Sequence, residues 1–388
     1  MGTVATSARD SIEASAIRLF SERWYSSVSV AEICRDAGVS NGIFYKYYDN
    51  KENLIQTILD DVIAAIALAL EGVDGPDPAA RLSSMASILV GFAAEHRDLI
   101  IVFREGQYRY FEYERRLVDL YRAVLGKALG RPVTMADYLF ALGGIRFAGV
   151  RSALHGTPLS LPALGHMLAQ GIFPGLAWDS KAVFGIAATP SPVALAESAR
   201  ERMIHAGKRL FGENDYHAVN IYQITEAAGL AVGSFYRHFK SKDEFFRALI
   251  DEAGHEIRRF ISTNLRPGLN RLERELQGMY LFAAFLSMDR WCYNIVREGE
   301  FVAPDRVRAY YGAFENGYRK QGTDGMDARR AESDPLWEDT AIQFMLGISH
   351  YFGIELLFEG LGRGARGVIE GVAKLLSRGL AGADGKAD

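Results

Sequence analysis

The chain has 388 residues, with 44 Lys and Arg against 48 Asp and Glu and a net charge of −4, which makes it long for one compact core and too acidic to coat nucleic acid indiscriminately. The apolar and charged fractions are those of a globular protein, and no apolar run approaches the roughly 18–20 residues that span a bilayer; the longest, Val62 to Leu70, stops at Glu71. The two cysteines, Cys34 and Cys292, offer neither a disulfide framework nor a zinc-ligand spacing and read as small core residues.

At the amino terminus "MGTVAT" matches the loose myristoylation pattern through Gly2 and Thr6. No charged region leads into an apolar stretch and cleavage site, so a cytoplasmic protein is expected. Ile12, Ala16, Leu19 and Phe20 recur at helical spacing, as do Leu54, Ile58, Val62 and Ile66 over about five turns. Between these helices lie two short ones, Val30 to Ala37 and Asn41 to Tyr48. Gly38 supplies the sharp turn that separates them, and Ser40 is placed to cap the second, which is helix-turn-helix geometry. Further on, Tyr138 to Leu154 and Leu161 to Ala177 are apolar over much of their circumference and are expected to pack against a partner. Small residues with Pro190 and Pro192 then read as a connector over 179–196.

After the connector the sequence repeats itself. "RLFSERWYSSVSVAEICRDAGVSNGIFYKYYDNKENL" aligns without a gap on "RLFGENDYHAVNIYQITEAAGLAVGSFYRHFKSKDEFF", 191 positions further on from Phe20 to Phe211. Arg104-Glu105-Gly106 then faces Arg297-Glu298-Gly299, and "QGTDGMDARRAESDP" reads as an insertion in the second copy. Thr340 to Phe358 and Ala365 to Leu380 repeat the apolar helices. No sustained two-residue alternation occurs, so the fold class is all-α. It comprises two tandem units, each a helix-turn-helix domain (1–54 and 197–245) followed by a helical bundle (55–178 and 246–388).

Gly38 to Gly42 also spells G-x-S-x-G, the pattern of a hydrolase nucleophile elbow. An elbow needs a preceding strand, whereas "VAEICRDA" is charged and helical, and the second copy has Ala231 in place of Ser40. The eight histidines form no catalytic or metal-binding pattern, so no catalytic residue, metal or cofactor is expected.

The segments "VAEICRDAGVSNGIFYKYYDNKENL" and "IYQITEAAGLAVGSFYRHFKSKDEFF" resemble the DNA-binding region of tetracycline-repressor (TetR) family transcription regulators. The A-G-V/L turn, the F-Y pair and the K-D/E start of the next helix carry the resemblance. Phe44 and Tyr48, like Phe235 and Phe239, share a face that anchors the short helix. The resemblance implies phosphate contacts through the Tyr45 and Tyr236 hydroxyls. Lys51 and Lys242, at the start of the next helix, are expected to meet phosphate as well. Base reading falls to Asn41, Ile43, Lys46 and Tyr47 in the first copy and to Ser234, Arg237 and His238 in the second, with Ser40 a cap and possible contact. Gly42 and Gly233 would let the backbone approach DNA closely. Ala231-Val232 replaces Ser40-Asn41, so the second head should read less or bind more weakly.

The resemblance further implies that the bundles dimerise and enclose a pocket whose ligand releases double-stranded operator DNA. With two units in one chain, the expectation is an intramolecular pseudo-dimer presenting two unlike heads about 34–36 Å apart; a homodimer with four heads is the alternative. A small apolar or aromatic effector would meet Phe103, Arg104, Tyr108, Phe147 and Arg151 in copy one, and Trp291, Tyr293, Arg297, His350 and Tyr351 in copy two. The expected function is a ligand-released repressor with no membrane association. An interaction scaffold with one degenerate head, and a serine hydrolase using Ser40, are the competing readings.

Overall fold

The computed structural model describes residues 7–189, 198–358 and 364–384, and no strand occurs among them. The Gly2 pattern, Pro190 and Pro192 lie outside the described residues. The first copy contains α1 (Ala8–Glu22), α2 (Val30–Asp36), α3 (Asn41–Phe44), α4 (Lys51–Leu70), α5 (Pro78–Glu95), α6 (Arg97–Arg109) and α7 (Phe111–Leu129). It continues with α8 (Met135–Tyr138), which passes through a π turn at Leu139–Gly143 into α9 (Gly144–His155), then α10 (Leu161–Gln170) and α11 (Ser180–Phe184). The second contains α12 (Ala199–Glu213), α13 (Ile221–Ala227), α14 (Val232–Phe235), α15 (Lys242–Asn264), α16 (Arg271–Met288) and α17 (Trp291–Val302). It ends with α18 (Pro304–Arg319), α19 (Ala328–Ser333), α20 (Trp337–Phe358) and α21 (Ala365–Arg378).

The duplication preserves the function of the helix caps while exchanging the residues. Ser7 with Asp10 and Ser198 with Glu201 form capping boxes on α1 and α12. Ser29 with Glu32 and Asn220 with Gln223 do the same on α2 and α13. Each box satisfies amides that the helix start leaves without partners. Gly38 and Gly229, at φ +68° and +66°, turn the chain between the paired short helices, a conformation costly for any residue with a Cβ.

α4 and α15 begin in the heads and run unbroken into the bundles, so the expected boundaries at 54/55 and 245/246 fall inside continuous helices. Taken whole, α4 is long and apolar enough to cross a bilayer, which the shorter Val62–Leu70 run did not indicate. Here its buried side, including Leu54, Ile58, Val62 and Ile66, packs on α5, α6 and α7.

The two bundles meet through α8 to α10 and α20 to α21. At the crossing of the π turn with α20, Gly143 and Gly347 place backbone on backbone, and a Cβ at Gly347 would run into the Gly143 carbonyl. Phe140 and Phe344 meet edge to face 5.1 Å apart beside them. The Ile172 and Phe173 amides donate to the Leu376 carbonyl at 2.7 and 2.9 Å, and the Leu380 amide donates to Leu168 at 2.8 Å. The insertion also bridges the copies: Ser160 Oγ donates to Asp334 at 2.5 Å, and His166 lies 3.3 Å from Asp327.

The connector departs from expectation. Residues 180–184 form α11, which lies on α16 with Val183 buried, and Gln277 Nε2 donates to the Ala182 and Val183 carbonyls at 3.0 and 3.1 Å. Trp178, Phe184 and Tyr280 form an aromatic chain. The first half of the 179–196 segment is thus docked on the second unit, because its apolar residues find a bundle face that composition alone does not show.

Candidate functional site

In each head the short helix after the glycine turn is fastened by its aromatics. Phe44 and Tyr48, and Phe235 and Phe239, are buried, with ring centroids 5.6 and 5.5 Å apart within each pair. Regular helix spans only Asn41–Phe44 and Val232–Phe235, and turns continue to Tyr47 and His238, so the expected helix to Tyr48 is shorter than its pattern. The opposite side faces solvent: Asn41, Lys46 and Tyr47 are exposed in one head, as are Arg237 and His238 in the other, while Ile43 and Ser234 are half-buried. Tyr45 and Tyr236 are 59% and 60% exposed, so both copies present the same hydroxyl.

Gly42 and Gly233 are not required by the protein. A Cβ would meet only Ser40 Oγ at 3.8 Å in the first case and open space in the second. Ser40 stands at the N-cap with extended backbone, yet its side chain makes no capping bond. The capping role expected for it is therefore not realised, and the Ala231 substitution removes no cap bond. Nor does Ser40 follow a strand, since the preceding element is α2.

The two lysines depart furthest from expectation. Lys51 Nζ turns inward, donating to the Tyr25 and Val28 carbonyls at 2.8 and 2.7 Å, and sits 4.2 Å from the Tyr25 ring centroid. Lys242 repeats this on Tyr216 and Val219, both at 3.0 Å, again 4.2 Å from the ring. Burial pulls both ammonium groups below their ordinary range. Their side chains pin the turn between the first two helices of each head, while Asn50 and Ser241 cap the Asn53 and Glu244 amides in the first turns of α4 and α15.

The repeated Arg-Glu-Gly completes this joint from the bundle side. Glu105 accepts the Tyr25 amide at 2.9 Å, and Glu298 accepts the Tyr216 amide. Burial pushes Glu105 up to about 7 and Glu298 up to about 8, despite that stabilising hydrogen bond. Gly106 and Gly299 admit Leu59 and Ile250, at which a Cβ would stand 2.5 and 2.7 Å away. Each head is thus tied at one aromatic residue by a lysine below and a bundle carboxyl above. The sequence showed the repeat of Glu105 and Glu298 but not its purpose, because the partner is a backbone amide about 80 residues away.

The bundles contain unequal cavities. In copy two about 270 Å³ lies among Met279, Phe282, Tyr293, Tyr310, Phe314 and Tyr318. Arg258 stands on its wall with Nη1 buried and without a hydrogen-bond partner among the described residues. Tyr293 and Tyr311 both hydrogen-bond His350 Nδ1, at 2.9 and 3.0 Å, and burial holds that imidazole well below its usual range. In copy one the matching space is about 50 Å³. Arg146 fills it, paired in a fork with Glu114 at 2.8 and 2.9 Å, where copy two has His350 and Val307.

The expected effector residues separate accordingly. Tyr293 and His350 line the copy-two cavity, and Phe103, Arg104 and Tyr351 line the copy-one remnant. Arg104, His350 and Tyr351 also line a cavity between the copies, together with Phe147 and Arg151. Trp291, Tyr108 and Arg297 line neither large cavity. Trp291 packs on Gly212, and the Arg297 guanidinium lies 4.8 Å from the Tyr108 ring centroid at the contact between copies. Helical spacing could not distinguish these faces. Glu256, Asp289 and Cys292 also converge, but the Lys208 ammonium already occupies the cation position between the two carboxylates.

A family model for the bacterial regulatory proteins, tetR family, matches residues 12–58 and 203–249, the two head regions. The transcriptional activator FasR of Mycolicibacterium smegmatis is 24% identical over 110 residues, 28% of this chain and 50% of FasR. The transcriptional repressor DhaR of Mycobacterium sp. is 32% identical over 81 residues, 21% of this chain and 41% of DhaR. Thus the chain spans half or less of the length of those two relatives. The uncharacterized HTH-type transcriptional regulator YxbF of Bacillus subtilis is 21% identical over 329 residues, 82% of this chain and 85% of YxbF. The chain thus carries, in tandem, two copies of the helix-turn-helix region of the tetR family of bacterial regulatory proteins.

Proposed function

We propose that the chain is a DNA-binding transcriptional repressor of the cytoplasm working as an intramolecular pseudo-dimer, in which one polypeptide sets two unlike heads on two unlike half-sites. The observation that carries this reading is the matched pair of exposed surfaces on α3 and α14, with equally exposed Tyr45 and Tyr236 and with glycines where the fold leaves room for a side chain. Tyr45, Tyr236 and the amides opening α4 and α15 hold phosphates. Asn41, Ile43, Lys46 and Tyr47 read one half-site, and Ser234, Arg237 and His238 read the other. Asn41 suits adenine and Arg237 suits guanine, so the half-sites differ.

A single small apolar or aromatic effector occupies the copy-two cavity, since the Arg146–Glu114 pair fills its counterpart. The cavity is walled by α15, α16, α17, α18 and α20. α15 and α17 also carry Lys242 and Glu298, the two ties to the second head. An effector that prefers one position of those helices shifts the population of head spacings, and DNA is released.

A mobility shift on DNA upstream of the gene, with light scattering of the complex, tests the reading. One chain per operator is expected, and deletion of the gene should raise transcription from that promoter. Failure to bind any fragment at low salt refutes DNA binding. Two chains per complex would mean four heads, and a fall in transcription would mean activation.

A further inference from the structure

We infer that the cavity between the two copies is a second ligand site, built for a small organic anion with an aromatic or acyl body. This cavity, of about 320 Å³, lies between the end of α1 with α6 and α9 of copy one and α17, α18 and α20 of copy two. Its walls include Trp24, Phe147, Phe301 and Tyr311, which suit a planar or hydrocarbon body.

The charge on its lining is unbalanced. Arg104 is paired with Glu300 and Arg151 with Glu315, while Arg23 bonds Glu32 at 2.9 Å. Among the described residues, Arg97 reaches only the Leu154 carbonyl, at 3.5 Å, and Arg308 has no hydrogen-bond or carboxylate partner. Of the carboxylates on the lining, Glu300 is taken by Arg104, Glu105 by the Tyr25 amide and Glu22 by Arg18. Two guanidinium groups, one from each copy, therefore stand at an aromatic cavity without a counter-charge. Partial burial and the neighbouring Arg151, Arg104 and Arg308 hold the rim residue His155 down to about 4, the response expected in a positive field. A carboxylate bridging Arg97 and Arg308 would satisfy both and exclude water around its body.

Position gives the site a consequence. Arg23 and Trp24 lie within the first head, between α1 and α2, so an occupant touches head one and bundle two together. Tyr311 and His350 line this cavity and the copy-two cavity alike, and their 3.0 Å hydrogen bond forms part of the wall between them. Neither the site nor its test depends on DNA binding.

The test uses the full chain and two fluorescent ligands of similar body, anionic 1-anilinonaphthalene-8-sulfonate and neutral N-phenyl-1-naphthylamine. Arg97→Glu with Arg308→Glu lies on the exposed rim and should weaken sulfonate binding at least tenfold, leaving the neutral ligand unchanged. Arg97→Lys with Arg308→Lys should keep most of the sulfonate affinity. Gly278→Phe, directed into open space in the copy-two cavity, should remove the neutral ligand and spare one sulfonate site. Undiminished sulfonate binding by the double Glu variant, or loss of all sulfonate binding in Gly278→Phe with an unchanged circular dichroism spectrum, would overturn the assignment.

Discussion

Replacing Lys51 with Met keeps the length of the side chain and removes its charge, which separates a phosphate contact from a structural pin. The ammonium donates two hydrogen bonds, at 2.8 and 2.7 Å, to the Tyr25 and Val28 carbonyls, and it lies on the Tyr25 ring. Charged hydrogen bonds contribute roughly 1.5–3 kcal/mol each, and a cation–π contact about 0.5–1. Desolvation of the half-buried ammonium, visible in its lowered pKa, offsets part of this, leaving an expected local cost of about 3 kcal/mol. At about 1.4 kcal/mol per decade, the amides of Tyr25 and Val28 should exchange hydrogen about 100-fold faster where exchange proceeds by local opening. If the pin is the lysine's role, the slope of log affinity for DNA against log salt stays unchanged, whereas a lost phosphate contact lowers its magnitude by about 1. Unchanged exchange together with a lowered slope would refute the inward role and restore Lys51 as a phosphate ligand.

Other outcomes follow from the same joint and its surroundings. Glu105 and Glu298 have folded pKa values raised from 4.5 to about 7 and about 8, so their contribution to stability is full below about pH 4.5 and lost as pH rises through 7 and 8. Glu105→Gln with Glu298→Gln should therefore flatten the fall in melting temperature between pH 5 and 9, and parallel profiles would exclude the joint as its source. Ser40→Ala should leave stability within about 0.5 kcal/mol, whereas Ser29→Ala, which breaks a capping box, should cost about 1 kcal/mol in denaturant titration. Gly347→Leu drives a side chain into the Gly143 backbone and should cost several kcal/mol, about 3 or more, with a change in the small-angle scattering profile as the bundles part. Arg146→Met with Glu114→Met and Tyr138→Phe should be near neutral in melting temperature, because the buried pair and the hydroxyl bonded to it are replaced together; Glu114→Met alone should cost about 3–5 kcal/mol.

Local chemistry was legible in the chain itself. Periodicity, caps and the glycine turn depend on residues within four or five positions of one another, so the helices, the helix-turn-helix and the buried faces of Phe44 and Phe235 follow from pattern alone. The duplication was equally plain, since it needs only comparison of the chain with itself. What pattern could not reach were interactions made with a distant backbone. Lys51 at a helix start reads as an anion ligand until the Tyr25 and Val28 carbonyls are seen beneath it. The docked half of the connector and the misassigned Trp291 have the same origin, because an apolar or aromatic residue at helical spacing does not state which neighbour covers it.

By itself, then, the sequence determined two all-α units with one kind of head, because helices, caps and turns are set by short-range sterics and hydrogen bonds. Only the tertiary structure decided that the copies are unequal where it matters. Arg146 and His350 occupy matching places in the two bundles, and whether such a residue fills a cavity or borders one depends on the partner across the space. Glu114 meets Arg146 and closes the first cavity; Val307, at the matching place, leaves His350 to the tyrosines and the second cavity open.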